Sequence, residues 1–376
     1  MRAVTGDNPT VPSFIATDVA LAPMTTLGVG GPARYFADLD GVMALTDAFR
    51  WASDNSIDIH VLGDGSNLVV SDSGFDGLVL RISSEGVATA THGDEVKVTA
   101  AAGENWDGLV ERCVSQDLGG VECLSGIPGR VGAAPIQNIG AYGQELSSVV
   151  EAVRCFDRHS GVMVIFDNGA CEFGYRMSRF KSDAERRFVV VDVTFALAQG
   201  APPEIRYRDI ADRLCADGRE TDPSLAEVRE AVLDVRRSKS MVLDDGDPNS
   251  RSAGSFFVNP VVDAGRLEEV RESAAVLGVD PATLPAWATG DGRSKLSAAW
   301  LIEHSGFGRG YGDGPAGLSA NHTLAIVNRG DATASDIVSV AACVRSGVRS
   351  EFGVELSPEP EFLGFGRPAG KVLDDV

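Results

Sequence analysis

The N-terminal part of the chain switches between two patterns of apolar residues. "PARYFADLD" (32–40) has the alternation of a strand, and "IDIHVLG" (57–63) returns to that pattern. Between them, apolar residues recur at the spacing of a helix that ends near Asp54, namely Val42, Leu45, Phe49 and Ala52. The order strand, helix, strand predicts an α/β beginning.

The segment that follows excludes a Rossmann unit. After "GDGSN" (63–67), a dinucleotide-binding Rossmann unit requires a helix, but "LVVSDSGFDGLVLRI" has the pattern of strands and a turn. Residues 94–116 then predict a strand followed by a helix. Further strands are expected at "VVEAVRCFD" and "FVVVDVTFAL".

A helix is predicted over 221–237, with Asp222 as its N-cap and Pro223 in its first turn. The acidic, Gly/Pro/Asn-rich stretch 240–250 then indicates the start of a last domain. The elements expected in this domain are a strand at 255–258, a helix near 295–305, a strand at "HTLAIVN", a helix near 334–352 with a Thr333/Asp336 capping box, and a strand broken by prolines in "GVELSPEPEFLGFG".

Composition narrows the range of partners. The 376 residues carry a formal net charge of −21, which argues against nucleic-acid and anionic-membrane partners, so an anionic substrate would need local basic residues. The six cysteines form no C-x-x-C pair and have no metal-ligand spacing with the five histidines, so we expect reduced core cysteines and no metal. The N-terminus has no basic start followed by an apolar run, which favours a cytoplasmic protein.

Glycines cluster in three loops. In "GDGSN" (63–67), backbone N–H groups with the Ser66 hydroxyl and the Asn67 amide could form an anion-binding nest suited to a pyrophosphate, although each loop alone could be an ordinary turn. The other two clusters are "TTLGVGGPARYF" (25–36) and "SGIPGRVGAAPIQNIGAYG" (125–143). Three such loops suggest one extended ligand.

Basic residues gather in short segments of an otherwise acidic chain. The residues concerned are Tyr175, Arg176, Arg179 and Lys181 in "FGYRMSRFK", Arg206, Tyr207 and Arg208 in "RYRDI", and Lys239. They could be a solvated face or a site for phosphate or carboxylate. "SAGSFFVNP" (252–260) also places the hydroxyl of Ser255 between a glycine and two phenylalanines, which requires an explanation.

Six motifs in order resemble the UDP-N-acetylenolpyruvoylglucosamine reductase family of flavoproteins, in its subtype with a substrate-capping tyrosine loop. They are "TTLGVGGPARYF", "LGDGSNLVV", "SGIPGRVGAAPIQNIGAYGQEL", "FGYRMSRFK", "SAGSFFVNP" and "LSPEPEFLG", and the resemblance covers about residues 20–364. It implies an α+β fold with two α/β-like FAD-binding subdomains of the vanillyl-alcohol-oxidase-like type, 13–88 (completed by 352–376) and 89–239. An α+β substrate-binding domain, 240–351, completes the fold.

The resemblance implies FAD and NADPH as cofactors. The residues expected to bind FAD are Gly63, Asp64, Gly65, Ser66, Asn67, Gly126, Gly129, Gly132, Ala133, Gln137, Asn138, Gly140, Ala141 and Tyr142. In the glycine motifs only Cys123 is at a position suited to a covalent flavin link, and we interpret it as structural, so FAD is expected to be noncovalent.

The resemblance also implies the reaction. Flavin N5 gives a hydride to C3 of an enolpyruvyl ether of UDP-N-acetylglucosamine, Ser255 gives a proton to C2, and Arg176 polarises the carboxylate. The family commonly ends L-x-P-E-[VI]-[RK]. Without a gap, the catalytic glutamate is Glu359, but Glu361 replaces a basic residue, so a shift by two to Glu361 stays open.

The expected partners are the UDP-sugar and NADPH, for a monomer. Substrate binding is expected from Tyr175, Tyr207, Lys239, Asn259 and Lys295, although Lys295 could be only a helix-terminal charge. Two alternatives stay open: a flavin oxidase of the same class, against which "SAGSFF" and "YRDI" argue, and a non-redox UDP-sugar-binding protein or nucleotidyl transferase.

Overall fold

The computed structural model describes residues 9–93, 95–183, 186–216, 218 and 222–376. The first elements form a four-stranded sheet in the order β1-β2-β5-β3, in which β2, β5 and β3 run parallel. The elements of this part are β1 (Ala16–Ala20), β2 (Pro32–Leu39), α1 (Val42–Asp54), β3 (Ile59–Leu62), β4 (Leu68–Val70) and β5 (Phe75–Ile82). The predicted strand, helix, strand beginning is confirmed.

A second sheet has the order β12-β11-β13-β7-β6, with β8 paired to β13. Its strands are β6 (Val87–His92), β7 (Glu95–Ala101), β8 (Leu118–Gly119), β11 (Val150–Asp157), β12 (Val162–Asp167) and β13 (Phe188–Gln199), and a small hairpin adds β9 (Gly140–Ala141) and β10 (Gln144–Glu145). The helices of this part are α2 (Trp106–Ser115), α3 (Arg179–Ser182), α4 (Arg208–Ala216) and α5 (Leu225–Ser238). Residue 94, where a strand was expected to begin, lies outside the described residues.

Helix α5 corrects one prediction. Ser224, not Asp222, is its N-cap, because the Ser224 hydroxyl accepts a hydrogen bond from the Glu227 N–H and Glu227 reaches back to the Ser224 N–H. Asp222 has φ +56°, which is incompatible with the extended conformation of an N-cap. Residue 221, the predicted start, lies outside the described residues.

The last part of the chain surrounds the long helix α8. Its elements are β14 (Val261–Val262), α6 (Ala264–Val276), β15 (Ala286–Ala288), β16 (Ser294–Leu296), α7 (Ala298–His304), β17 (Ala316–Leu318), β18 (Ile326–Asn328), α8 (Ala334–Phe352), β19 (Glu361–Leu363) and α9 (Ala369–Asp374). The Thr333/Asp336 capping box of α8 is confirmed. β19 pairs in parallel with β4 in a separate two-stranded sheet, so the end of the chain returns to the N-terminal part.

The predicted strand at 255–258 is wrong. This segment makes only an isolated bridge, between Phe257 and Pro358, because Gly254 turns the chain with φ +71° immediately before it. Both Phe256 and Phe257 are buried in the core around α8. The domain boundaries at 88/89, 239/240 and 351/352 stay predictions.

The cysteines only partly match expectation. Cys113, Cys123, Cys155 and Cys171 are free and buried. Cys215 and Cys343 are exposed, so the prediction that all six are core residues is wrong. None of the helices in the described part of the chain combines the length and apolar character that crossing a membrane requires.

Candidate active site

The loop 63–67 lines a cavity of about 630 Å³. Gly65 has φ +58°, and a Cβ there would lie 2.4 Å from the carbonyl oxygen of Met24, so only glycine fits. The Thr26 N–H donates to the carbonyl of Gly65 at 3.3 Å, which ties this loop to the first glycine cluster. The predicted nest therefore opens into an enclosed space of ligand size.

The segment 127–139 forms the opposite wall, where Gly129, Ala133 and Gln137 line the cavity. Arg130 joins the walls, since it pairs with Asp64 and donates to the carbonyl of Gly103 at 2.6 Å. The Asn67 amide donates to Gln137 at 2.9 Å and to the carbonyl of Glu359 at 3.2 Å. Its side chain therefore fixes three segments around the cavity.

The residues of this cavity fit FAD. Its volume lies within the range of about 300–1,000 Å³ that is typical of small-molecule sites, and glycine loops on both sides allow a backbone to approach phosphates closely. The predicted FAD-binding residues that line it are Gly63, Asp64, Gly65, Ser66, Asn67, Gly129, Ala133 and Gln137.

The other predicted FAD-binding residues do not line this cavity. Gly132 packs so closely on Ala102 that a Cβ would lie 2.6 Å from the Ala102 Cβ, and the Gly126 N–H donates to Asp107 at 2.6 Å. The remaining four, Asn138, Gly140, Ala141 and Tyr142, lie at or beside the β9–β10 hairpin.

That hairpin instead holds Arg176. The guanidinium donates to the carbonyl of Gly140 at 2.7 Å and to the carbonyl of Asn138 at 3.3 Å. Asn138 is itself buried, and its amide donates to the carbonyl of Gly174 at 3.0 Å. Arg176 has φ +53°, a left-handed conformation that aims its side chain away from the preceding chain direction. The arginine is thus fixed before any ligand binds.

Two distant segments bring Arg176, Glu359 and the region of Ser255 together. The Glu359 N–H donates to the carbonyl of Phe256 at 2.9 Å, and the Val258 N–H donates to that of Ser357 at 3.1 Å. These bonds pair Phe256 with Glu359 in antiparallel order, so Ser255 lies one residue before the partner of Glu359 in the chain. Arg176 Nε lies 3.4 Å from Glu359 Oε1.

The electrostatics of Glu359 reflect its burial. Burial raises the pKa of the Glu359 carboxyl, while the positive charges of Arg176 and Lys181 act in the opposite direction. Burial also lowers the pKa of Lys181, against the effect of Glu359. Sequence reasoning placed Lys181 in a basic segment but not in the site. Only its position beside arginines could have suggested a role.

Glu361 has different neighbours. It pairs with Arg186 and lies 3.4 Å from His60 Nδ1, on the wall of the same cavity. His60 is buried, and this burial lowers its pKa. Because Arg176 pairs with Glu359 and not with Glu361, the geometry supports the gap-free assignment.

Three of the predicted substrate residues come together. Lys295 Nζ lies 4.6 Å from the centre of the Tyr175 ring and 5.5 Å from that of Trp287. Tyr175 hydrogen-bonds to Asn259, whose Oδ1 also accepts from the Ala298 N–H at 2.9 Å. Lys295 lies in β16 opposite Trp287, so it is not a helix-terminal charge. Trp287 was missed, since nothing in its local sequence marks it.

The other two, Tyr207 and Lys239, flank Tyr142. The Tyr207 and Tyr142 rings meet edge to face at 5.9 Å, and Lys239 Nζ lies 5.9 Å from the Tyr142 ring centre. Lys239 also bonds to Asp209 at 2.6 Å. Burial and the charge of Lys239 lower the pKa of nearby His322 to about 4, and sequence reasoning had no signal for that histidine.

Comparison with known proteins identifies the family. Residues 36–167 match the model "FAD binding domain", and residues 247–363 match "UDP-N-acetylenolpyruvoylglucosamine reductase, C-terminal domain". In the stretches where the chain is described, no group of three or more His, Cys, Asp or Glu could hold a metal ion.

Relatives named UDP-N-acetylenolpyruvoylglucosamine reductase match most of the chain. The protein of Thermobifida fusca is 47% identical, covering 93% of this chain and 98% of that protein. The protein of Nocardia farcinica is 46% identical, covering 96% and 94%. The crystal structure of the reductase from Thermus caldophilus is similar with a TM-score of 0.61 and 26% identity, covering 93% of this chain and all of that one.

These matches confirm the α+β fold with an FAD-binding part. They also agree with the expected cofactors, FAD and, as the reductant, NADPH. Coverage of nearly the whole length of the relatives means that no major domain of theirs is missing from this chain. We conclude that the chain belongs to the UDP-N-acetylenolpyruvoylglucosamine reductase family and is an oxidoreductase.

Proposed function

We propose that this enzyme uses NADPH and FAD to reduce UDP-N-acetyl-3-O-(1-carboxyvinyl)-glucosamine to UDP-N-acetylmuramate, a precursor of peptidoglycan. The observation that carries the proposal is the pairing of Arg176 with the half-buried Glu359 at 3.4 Å, where the Glu359 N–H donates to the carbonyl of Phe256, the residue after Ser255. This arrangement opens onto a cavity that fits FAD. Bound FAD, once reduced by NADPH, supplies a hydride to C3 of the enolpyruvyl group.

Ser255 donates the proton that C2 requires. Its hydroxyl is half-buried and forms no hydrogen bond to another residue within the described ranges, so it is available to the substrate. Gly254, with φ +71°, turns the backbone immediately before Ser255, and Phe256 and Phe257 enter the core while Ser255 stays half-buried. A proton from a positioned group contributes about 10²–10⁴-fold to such a reaction.

Arg176 stabilises the negative charge that develops on the substrate carboxylate. Its two backbone contacts with the β9–β10 hairpin leave the guanidinium preorganised, which is what electrostatic stabilisation requires. Glu359 orients this guanidinium through the 3.4 Å contact. The roles of Asn138 and Gly140 are then to hold Arg176.

Tyr175, Asn259 and Lys295 are proposed to bind the substrate on one side of Arg176, with Tyr207 and Lys239 on the other. Tyr207 is 46% exposed and precedes α4, so its ring can cover a ligand without disturbing the core. Lys239 offers a cation for the diphosphate once its bond to Asp209 opens.

FAD is proposed to be noncovalent. Cys123, the only candidate for a link, is buried, and burial raises the pKa of its thiol to about 12, which disfavours the reactive thiolate. Denaturing the protein in acid should therefore release all the yellow colour. Colour that stays in the precipitate would contradict this.

The enzyme is further proposed to be a cytoplasmic monomer without nucleic-acid or membrane partners, in line with its net charge of −21. The experiment that tests the function is stopped-flow absorbance of the flavin. NADPH should bleach it, and the enolpyruvyl sugar nucleotide should restore the oxidised spectrum faster than O₂ does. Reoxidation by O₂ alone would identify an oxidase, and a colourless protein would identify a non-redox binding protein.

A further inference from the structure

Lys181 presents a fixed cation to the cavity. It lies in α3, where its N–H donates to the hydroxyl of Ser178 at 3.3 Å, and that hydroxyl donates to the carbonyl of Ile136 at 2.5 Å. The preceding residue, Phe180, is buried. These contacts attach the backbone of Lys181 to the cavity wall, and its side chain lines the cavity.

Lys181 differs from the other basic residues of this wall in having no partner. The others are held by hydrogen bonds or ion pairs: Arg130 by Asp64, Arg186 and His60 by Glu361, and Arg158 by the carbonyl of Arg186. Within the residues that the structure describes, the Lys181 ammonium makes no hydrogen bond or ion pair. It is therefore available to a group inside the cavity.

Lys181 lies among charged residues at one end of the cavity. Burial lowers the pKa of its ammonium group and Arg176 adds to that effect, while Glu359 and Glu361, which line the cavity with it, act in the opposite direction. Since Glu359 also pairs with Arg176, Lys181 lies at the end of the cavity where the Arg176–Glu359 pair is found. A reacting ring must reach this end to meet the substrate.

We propose that Lys181 is a further cofactor-contacting residue, whose ammonium group stabilises the reduced form of the bound flavin and thereby raises its midpoint potential. The inference rests on the proposed function, since it requires flavin in this cavity. Charge near the ring nitrogens of a flavin is one of the main ways in which a protein tunes it. The negative charge that a flavin gains on reduction interacts favourably with a nearby cation.

The test is to measure the midpoint potential of the flavin in holoenzyme with Lys181→Met, Lys181→Arg and Arg179→Met. Arg179 is a matched control, because it belongs to the same short helix but pairs with Glu172 and does not line the cavity. At a fixed applied potential, Lys181→Met should lower the ratio of reduced to oxidised flavin about tenfold. This corresponds to a fall of about 30 mV in the two-electron midpoint potential.

Lys181→Arg should restore the parent potential, because it keeps the charge, and Arg179→Met should leave it unchanged. The proposal is overturned if Lys181→Met keeps the parent potential, if Arg179→Met shifts it equally, or if Lys181→Arg raises it well above the parent. Loss of oxidised FAD from Lys181→Met would also overturn it, since the residue would then act in binding. Failure of the proposed function is seen separately, as a parent protein without flavin or without substrate-driven reoxidation.

Discussion

Two clusters of charged residues, the first around Glu359 and the second around Glu361, lie on the wall of one cavity. Glu359 is half-buried and pairs with Arg176, and its N–H donates to the carbonyl of Phe256. Glu361, two residues later, pairs with Arg186 and lies beside His60, while its N–H donates to the carbonyl of Asn67 at 3.0 Å. Alternation along an extended chain places both side chains on the same face. The difference between them therefore lies in the arginines that the connection between β12 and β13 presents to each, Arg176 to Glu359 and Arg186 to Glu361.

The difference shows how the carboxylate proposed to be catalytic can be distinguished from one that pairs within the cavity wall. The arginine beside Glu359 is held by backbone carbonyls and keeps its remaining capacity for a ligand. Arg186, the arginine beside Glu361, pairs with that carboxylate and hydrogen-bonds to His60 Nδ1 at 2.9 Å. We expect changes in the first cluster to alter the reaction and changes in the second to alter the cavity wall.

The largest expected effect in the first cluster comes from Ser255→Ala. Flavin reduction by NADPH should stay close to the parent rate, because only the second half-reaction needs a proton at C2. Reoxidation by the sugar nucleotide should slow by about 10²–10⁴-fold, as loss of a proton donor predicts. Stopped-flow measurement of both half-reactions tests this, and equal damage to both would assign Ser255 to the fold or to the flavin site.

Glu359→Gln, with Glu361→Gln as the matched control, tests the comparison directly. In the proposed mechanism Glu359 orients Arg176, and this orientation matters most when negative charge develops on the substrate. Its loss should therefore slow reoxidation at saturating substrate by about 100-fold or more. Glu361→Gln should cost little by comparison. Reversed results would mean that the chain is shifted by two residues relative to the family, with Pro360 marking the shift.

Features of the fold that depend on local sequence could be predicted. The strand, helix, strand beginning and the capping box of α8 depend on neighbouring residues, and their patterns are visible in short windows. The strand predicted at 255–258 is wrong, because Gly254 turns the chain and the pairing partner lies about a hundred residues later. The partners of Glu359 and Glu361 could not be derived, since they come from segments that are far away in the sequence.

Tyr207→Ala, compared with Tyr311→Ala, tests whether the tyrosine loop belongs to the catalytic side. Tyr311 is a suitable control, because it is also exposed but contacts Phe307 and Cys343, whereas Tyr207 contacts Tyr142. Loss of the covering ring should weaken binding of the UDP-sugar to oxidised enzyme about tenfold, or about 1.4 kcal/mol, with NADPH affected less. Isothermal titration measures this, and an unchanged affinity would make Tyr207 a packing residue.

The smallest expected effect is on thermal stability. The pH dependence of this effect should differ between variants of Glu359 and Glu361. Burial raises the pKa of Glu359 in the folded protein above its unfolded value, so the folded state binds more protons and stability falls as pH rises from the unfolded pKa through the folded one. Above that window the parent carries the full cost of a buried carboxylate, which Glu359→Gln removes. We therefore expect Glu359→Gln to raise the melting temperature relative to the parent by more at pH 7.5 than at pH 4, which lies below the unfolded pKa. Glu361→Gln should not raise the melting temperature in this way at the higher pH, because Arg186 compensates the charge of that carboxylate. Thermal melts of the parent and the two variants at both pH values measure this. A larger gain for Glu361→Gln than for Glu359→Gln at the higher pH would contradict the prediction.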